Sequence, residues 1–177
     1  MAAGSAVENI ILGCLTTRPM SGYEIKQLIS LSTSLFYNAS YGSIYPILKK
    51  QEEAGLVSVE ELVEGGRFKK IYQLTEKGRN TFLQWLEEPP QPITIKNDML
   101  VRLFFFNNVT REKQVEITEI YLDHLKDFRQ RLDDIAPAAA SYSDIYKDYT
   151  LRWGKDFYQF LILWYENLLS DLQKPEP

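Results

Sequence analysis

The sequence predicts a mainly α fold with one small β-hairpin: an N-terminal winged helix-turn-helix followed by a C-terminal helical domain. Three observations carry that expectation. Three short segments with helical apolar spacing precede two β-rich runs around a Gly-Gly turn. A proline-rich stretch from Glu87 to Pro92 interrupts the chain near its middle. Beyond it, apolar residues recur at steps of three and four. With 177 residues, 45% hydrophobic and 25% charged, the chain has material for one sizeable core or two small ones. The expected organisation is a winged helix-turn-helix over 1–88, a linker over 89–97 and a helical domain over 98–177.

Val7 to Leu15 is an apolar run of helical length. It ends at Thr16-Thr17-Arg18-Pro19, because the residue before a proline is driven out of helical geometry. Ser21 is placed to cap a second helix, with Tyr23, Ile25, Leu28 and Ile29 on its apolar stripe and a break between Ser30 and Ser34. A third helix runs towards Ala54, with Ile44, Ile47 and Leu48 on one face and Gly55 positioned as a left-handed C-terminal cap. Pro46 is harmless only in a first turn, so this helix starts near Gly42 or Ser43. Leu56 to Val63 and Phe68 to Leu74 are β-rich, and Glu64-Gly65-Gly66-Arg67 joins them as a tight turn. Thr75 caps a fourth helix carrying Phe82, Trp85 and Leu86.

The second half reads as helices over Asp98 to Phe106, Arg111 to Ile135 and Ser143 to Gln173, with breaks at Asn107-Asn108-Val109-Thr110 and Ala136-Pro137. Tyr121, Leu125, Phe128, Leu132 and Ile135 have the seam spacing of packed helices. Tyr146, Tyr149, Trp153, Phe157, Phe160, Trp164 and Leu168 form a second stripe on the last helix. Helices this long and this aromatic need partners.

Several function classes are disfavoured. No run approaches the roughly 20 apolar residues of a membrane span, and Met1-Ala2-Ala3-Gly4-Ser5 lacks the basic-then-apolar pattern of a signal peptide, so a cytoplasmic protein is expected. Cys14 has no second cysteine to pair with, and its neighbours Ile10, Ile11 and Leu15 mark it as a core thiol. His124 has no cysteine or second histidine at ligand spacing, so neither a metal nor a cofactor is expected. Phosphate-loop, nucleophile-elbow and metalloprotease motifs are missing from the sequence, which argues against an enzyme.

Charge directs attention to the first half. The net charge is −4, but residues 1–87 carry nine Lys/Arg and nine Asp/Glu, so the whole deficit lies beyond them. On the third helix Tyr41, Tyr45 and Lys49 fall at four-residue steps with Ser43 beside them, opposite the apolar face. Tyrosine and serine hydroxyls reach base edges or phosphates, and Lys49 and Lys50 meet phosphates. In the hairpin, Arg67, Lys69 and Lys70 flank a flexible tip suited to a DNA backbone or minor groove. A plain solvated helix gives the same spacing, and Glu60, Glu61 and Glu64 make the hairpin equally readable as a mixed-charge surface.

Gly42-Ser43-Ile44-Tyr45-Pro46-Ile47-Leu48-Lys49-Lys50, then Gly55-Leu56, Gly65-Gly66-Arg67 and Tyr72-Gln73-Leu74-Thr75-Glu76-Lys77-Gly78 together resemble the phenolic-acid regulator (PadR) family. Ile11-Leu12-Gly13 and Ser21-Gly22-Tyr23-Glu24-Ile25 are similar to its opening helices. Asn97 to Phe105 and the aromatic last helix resemble its longer, two-domain branch, whose C-terminal helices build the dimer. The wing, Arg67-Phe68-Lys69-Lys70, departs from the more arginine-rich or proline-containing turn of many relatives. The resemblance implies a bacterial homodimer that binds double-stranded DNA at an inverted-repeat operator, commonly as a repressor, with release by a small aromatic effector in some members.

Physics independently favours a dimer, since one helix reading one half-site offers little area. Phe160, Leu161, Trp164, Leu168 and Leu172 are the candidate contacts. Trp85, Tyr149, Trp153 and Phe157 are candidates for lining an effector pocket between the halves, although aromatics at helical spacing also serve as plain core. The rival function is a protein-interaction module in which the winged helix no longer binds DNA.

Overall fold

The computed structural model describes residues 6–31, 44–64, 67–93, 95–140 and 144–174, the side chains of 31, 64, 67 and 137–140 excepted. The chain divides into two compact units, Met1–Gln91 and Pro92–Pro177.

The first unit runs α1 (Ala6–Leu15), β1 (Met20–Ser21), α2 (Gly22–Leu31), α3 (Ile44–Glu53), β2 (Val57–Glu64), β3 (Arg67–Leu74) and α4 (Glu76–Glu87). Ser21 and Glu24 form a reciprocal capping box at the start of α2: the Glu24 amide donates to Ser21 Oγ at 3.3 Å, and the Ser21 amide donates to Glu24 Oε2 at 2.9 Å. The Ser21 hydroxyl and amide, reinforced by Arg18, hold the Glu24 carboxyl down at about 2. α3 ends in a Schellman motif. Gly55 sits at φ 70°, its amide donates to Glu52 O, and the Leu56 amide donates to Gln51 O. Thr75 caps α4, accepting from the Gly78 amide at 3.0 Å.

β2 and β3 pair antiparallel from Val57↔Leu74 to Glu64↔Arg67, and among the described residues the strand order is β1-β3-β2. Gly65 and Gly66, the expected turn, lie outside the described residues, as do Gly42 and Ser43 at the expected start of the third helix. No periodicity predicts β1, which has two residues and gains its ladder from β3 through Met20↔Tyr72 and Ser21↔Ile71. Ile11, Leu12, Ile25, Ile44 and Leu48 are buried in one core with Val57 and Tyr72 from the sheet. Each such aliphatic side chain contributes roughly 1.5–3 kcal/mol by leaving water. Cys14 lies in this core, where burial pushes its thiol up to about 11. At Gly78 a Cβ would collide with the Leu56 carbonyl, so α4 is packed against the entry to β2 without room for a methyl group.

The second unit contains α5 (Asp98–Phe104), a 3-10 turn (Phe106–Asn108), α6 (Arg111–Ala140) and α7 (Ile145–Gln173). α6 continues past Ala136-Pro137, where the sequence predicts a break. A proline removes one backbone hydrogen bond, and a helix of 30 residues tolerates that loss close to its end. The two long helices are antiparallel. Tyr121 meets Tyr165 edge-on at 4.8 Å, and Phe128 stacks on Tyr158 at 4.4 Å. Further along, Gly154 faces Leu132, leaving 3.5 Å to a Cβ. Lys155 bridges to Asp133 at 2.6 Å and Lys126 to Glu166 at 2.8 Å. Met99, Phe106, Leu122, Leu125, Ile162, Tyr165 and Leu172 form the core of this unit. Among the described residues no helix is long and apolar enough to cross a membrane.

Candidate nucleic-acid interface

The candidate interface is assembled on α3 and the β2-β3 hairpin. Ile44 and Leu48 are buried and Ile47 packs against the same core, which turns Tyr45 and Lys49, one helical turn apart, towards solvent. Tyr45 is 57% exposed. Pro46 stands in the first turn of α3 as described, where its missing N–H costs no helical hydrogen bond. Tyr41 and Ser43, the other two candidates on this helix, lie outside the described residues.

The cations are only lightly committed elsewhere. Lys49 faces Glu53 at 3.9 Å, Lys50 reaches Glu8 of α1 at 2.7 Å, and Lys70 pairs across the hairpin with Glu61 at 3.2 Å. That carboxylate raises the Lys70 pKa above its ordinary value. All three lysine side chains are more than half exposed, although the Glu8 partner of Lys50 is largely buried, and solvent screens the Lys49 and Lys70 pairs, so a phosphate can compete for those two lysines. Lys69 is half-buried on the opposite face of β3, and the Arg67 side chain lies outside the described residues. The wing presents apolar surface as well: Phe68 is 85% exposed and stands directly across from Val63, itself 67% exposed.

Two features of this region had no sequence signal. One is the Lys50–Glu8 pair, which ties α3 to α1. The other is the seating of Tyr45: its ring leans over Gly22, with Cε1 2.6 Å from where a Cβ would stand. Tyr72, in the core beneath, has its phenol pKa raised by burial, with Glu52 and Tyr45 pushing the same way against Lys70. Both contacts join residues far apart in sequence, so no periodicity reveals them.

The candidate dimer and effector residues separate on burial. Phe160 is 59% exposed and Trp164 41%, whereas Leu161 and Leu168 are partly buried against the core of the second unit. Leu172 belongs to that core and is buried within a single chain, so it offers no free surface, contrary to its expected place among the contacts. Tyr149, Trp153 and Phe157 are exposed on α7, with Trp153 and Phe157 stacked at 5.1 Å. Trp85 belongs to the first unit, where it packs beside Phe82 at 6.0 Å. Among the described residues no cluster of His, Cys, Asp and Glu is arranged to hold a metal ion.

Comparison with known proteins gives a family for each half. Residues 11–84 match the transcriptional regulator PadR-like family, and residues 95–173 match the family described as virulence activator alpha C-term. The negative transcriptional regulator PadR of Bacillus subtilis (strain 168) is 29% identical over 127 residues, a match covering 71% of this chain and 68% of that protein. The crystal structure of B. subtilis PadR in complex with operator DNA has a TM-score of 0.84 at 24% identity, covering 95% of this chain and 99% of that one. The same regulator in complex with p-coumaric acid gives 0.77 at 22% identity, with coverages of 95% and 99%. For smu.1604c of Streptococcus mutans UA159 the TM-score is 0.83 at 28% identity, covering 92% of this chain and 98% of that one.

Proposed function

Since the chain belongs to the PadR-like family of transcriptional regulators, we propose that it is a cytoplasmic homodimeric repressor, binding an inverted-repeat operator through α3 and the wing. Residues 1–88 bind double-stranded DNA, 89–97 link, and 98–177 hold the dimer and take the effector. The observation that carries the reading is the outward flank of α3, where Tyr45 and Lys49 are exposed while Ile44 and Leu48 are buried beneath them. A helix so presented enters the major groove, with Tyr45 against base edges and Lys49 and Lys50 against phosphates. Arg67, Lys69 and Lys70 are assigned to the DNA backbone beside it, and Tyr41 and Ser43 to the same readout.

Two half-sites about 34 Å apart require a two-fold partner. The exposed aromatic stripe of α7, centred on Phe160 and Trp164, is the surface we assign to it. The B. subtilis relative solved with operator DNA and with p-coumaric acid supports an operator that is released by a small aromatic acid. Tyr149, Trp153 and Phe157 are the side chains of α7 we assign to such an effector.

The test is a gel-shift and salt titration on DNA just upstream of the protein's own coding region, followed by selection from random-sequence DNA. A saturable shift that survives competitor DNA and weakens steeply with salt is expected. Lys49→Gln and Lys69→Gln should each weaken binding on all sequences and lower the salt slope by about one, while Tyr45→Ala also blurs sequence preference. A folded protein that binds no DNA from either source would instead support the protein-interaction role.

A further inference from the structure

Gly22 is the first residue of α2, and the space its side chain would occupy is filled by the ring of Tyr45. A Cβ at Gly22 would stand 2.6 Å from Tyr45 Cε1, 3.1 Å from Cζ and 3.3 Å from Cδ1. Non-bonded carbons settle at about 3.5–4.0 Å, so a methyl group and the ring cannot both keep these positions. Backbone freedom is not what glycine supplies here, because among the described glycines a left-handed φ is found at Gly55 and not at Gly22. Helix propensity would favour alanine over glycine in α2. What glycine provides is the absence of a side chain, on the side of α2 that meets the recognition helix.

The Tyr45 ring is held on one side and open on the other, since the residue remains 57% exposed while its edge lies on the α2 backbone. We propose that Gly22 is a positioning residue for operator recognition: lacking a Cβ, it seats the Tyr45 ring against the start of α2 and so fixes the direction in which the phenol enters the groove. The inference rests on α3 being the recognition helix. Because the displaced atoms are the outer edge of an exposed ring that is free to swing, alanine at this position redirects Tyr45 without unfolding the unit.

The experiment is a double-mutant cycle in the full-length protein with Gly22→Ala, Tyr45→Ala and the pair. It reads thermal unfolding, dissociation constants on the selected operator and on random DNA, and the ring resonances of 13C-tyrosine-labelled protein. Gly22→Ala is expected to unfold within a few degrees of the parent, to move the Tyr45 resonance, and to weaken operator binding about tenfold with random DNA within about twofold. In the Tyr45→Ala background the same substitution should change operator affinity by less than about twofold, because the ring it acts through is gone. Additive losses around the cycle, or a Tyr45 resonance that does not move, would overturn the inference. Operator loss in Tyr45→Ala with parental affinity in Gly22→Ala would overturn it alone. Parental affinity in Tyr45→Ala would overturn it together with the assignment of Tyr45 as a reader.

Discussion

Among the described residues of the first unit, the large apolar side chains left exposed are scattered over α2, α3, α4 and the wing, as Tyr23, Tyr45, Leu83, Leu86, Leu62, Val63 and Phe68. In the second, α7 alone exposes Tyr146, Tyr149, Trp153, Phe157, Phe160, Leu163 and Trp164. The first unit therefore closes its core with its own helices and sheet. The last helix of the second is apolar on two sides: Gly154, Tyr158, Ile162, Tyr165 and Leu172 turn to α6 or the core, and the aromatic stripe turns to solvent. A long helix with a second apolar face exposes a stripe of aromatic side chains, and contiguous apolar surface of this kind is characteristic of interaction sites.

The contrast is sharpest where charge is put on the outward stripe. Phe160→Glu with Trp164→Glu is expected to weaken self-association by at least about a thousandfold, because each buried aromatic anchor is worth at least about 2 kcal/mol; sedimentation equilibrium checks it. An unchanged oligomer would place the dimer contacts elsewhere. Leu132→Ala, on the inward seam and fully buried, should cost the second unit about 2–5 kcal/mol in denaturant unfolding. Trp164→Ala, measured below the dimer dissociation constant, should by contrast cost the fold less than about 0.5 kcal/mol. In the first unit Gly78→Ala is expected to lose about 1–3 kcal/mol by forcing α4 away from the Leu56 carbonyl, visible as a lowered Tm.

The smallest expected effect is electrostatic. The Glu24 carboxyl has its pKa lowered by the Ser21 hydroxyl and amide from 4.5 to about 2. Its contribution is therefore complete above pH 4.5 and disappears as the pH falls through about 2. Parent and Glu24→Gln should differ by about 1 kcal/mol near pH 6 and converge at the acid end of a stability profile. Parallel curves over that range would remove Glu24 from the account.

Legibility in the sequence follows the range of the interactions. The Thr75 cap, the Gly55 terminator and the β2-β3 pair are set by residues a few positions apart, and spacing alone reveals them. β1 is invisible because two residues have no period, and its partner lies in β3, at Ile71 and Tyr72. On α7 the aromatic stripe is plain in the sequence, but not which way it faces; the helix carries two apolar rows, and only the position of α6 decides which is buried. On α3 the four-residue step from Tyr45 to Lys49 is legible, whereas the Lys50–Glu8 pair spans 42 positions and the seating of Tyr45 depends on an absent side chain.

β2 is hydrogen-bonded on one side only among the described residues, which leaves a strand edge open along the wing. Such an edge invites pairing with the same edge of another molecule, and natural sheets discourage it with charge. Glu60 and Glu61 sit on that strand, so two wings approaching edge to edge bring carboxylates together. The acidic residues that dilute the wing's positive charge thereby also discourage the wing from pairing edge to edge.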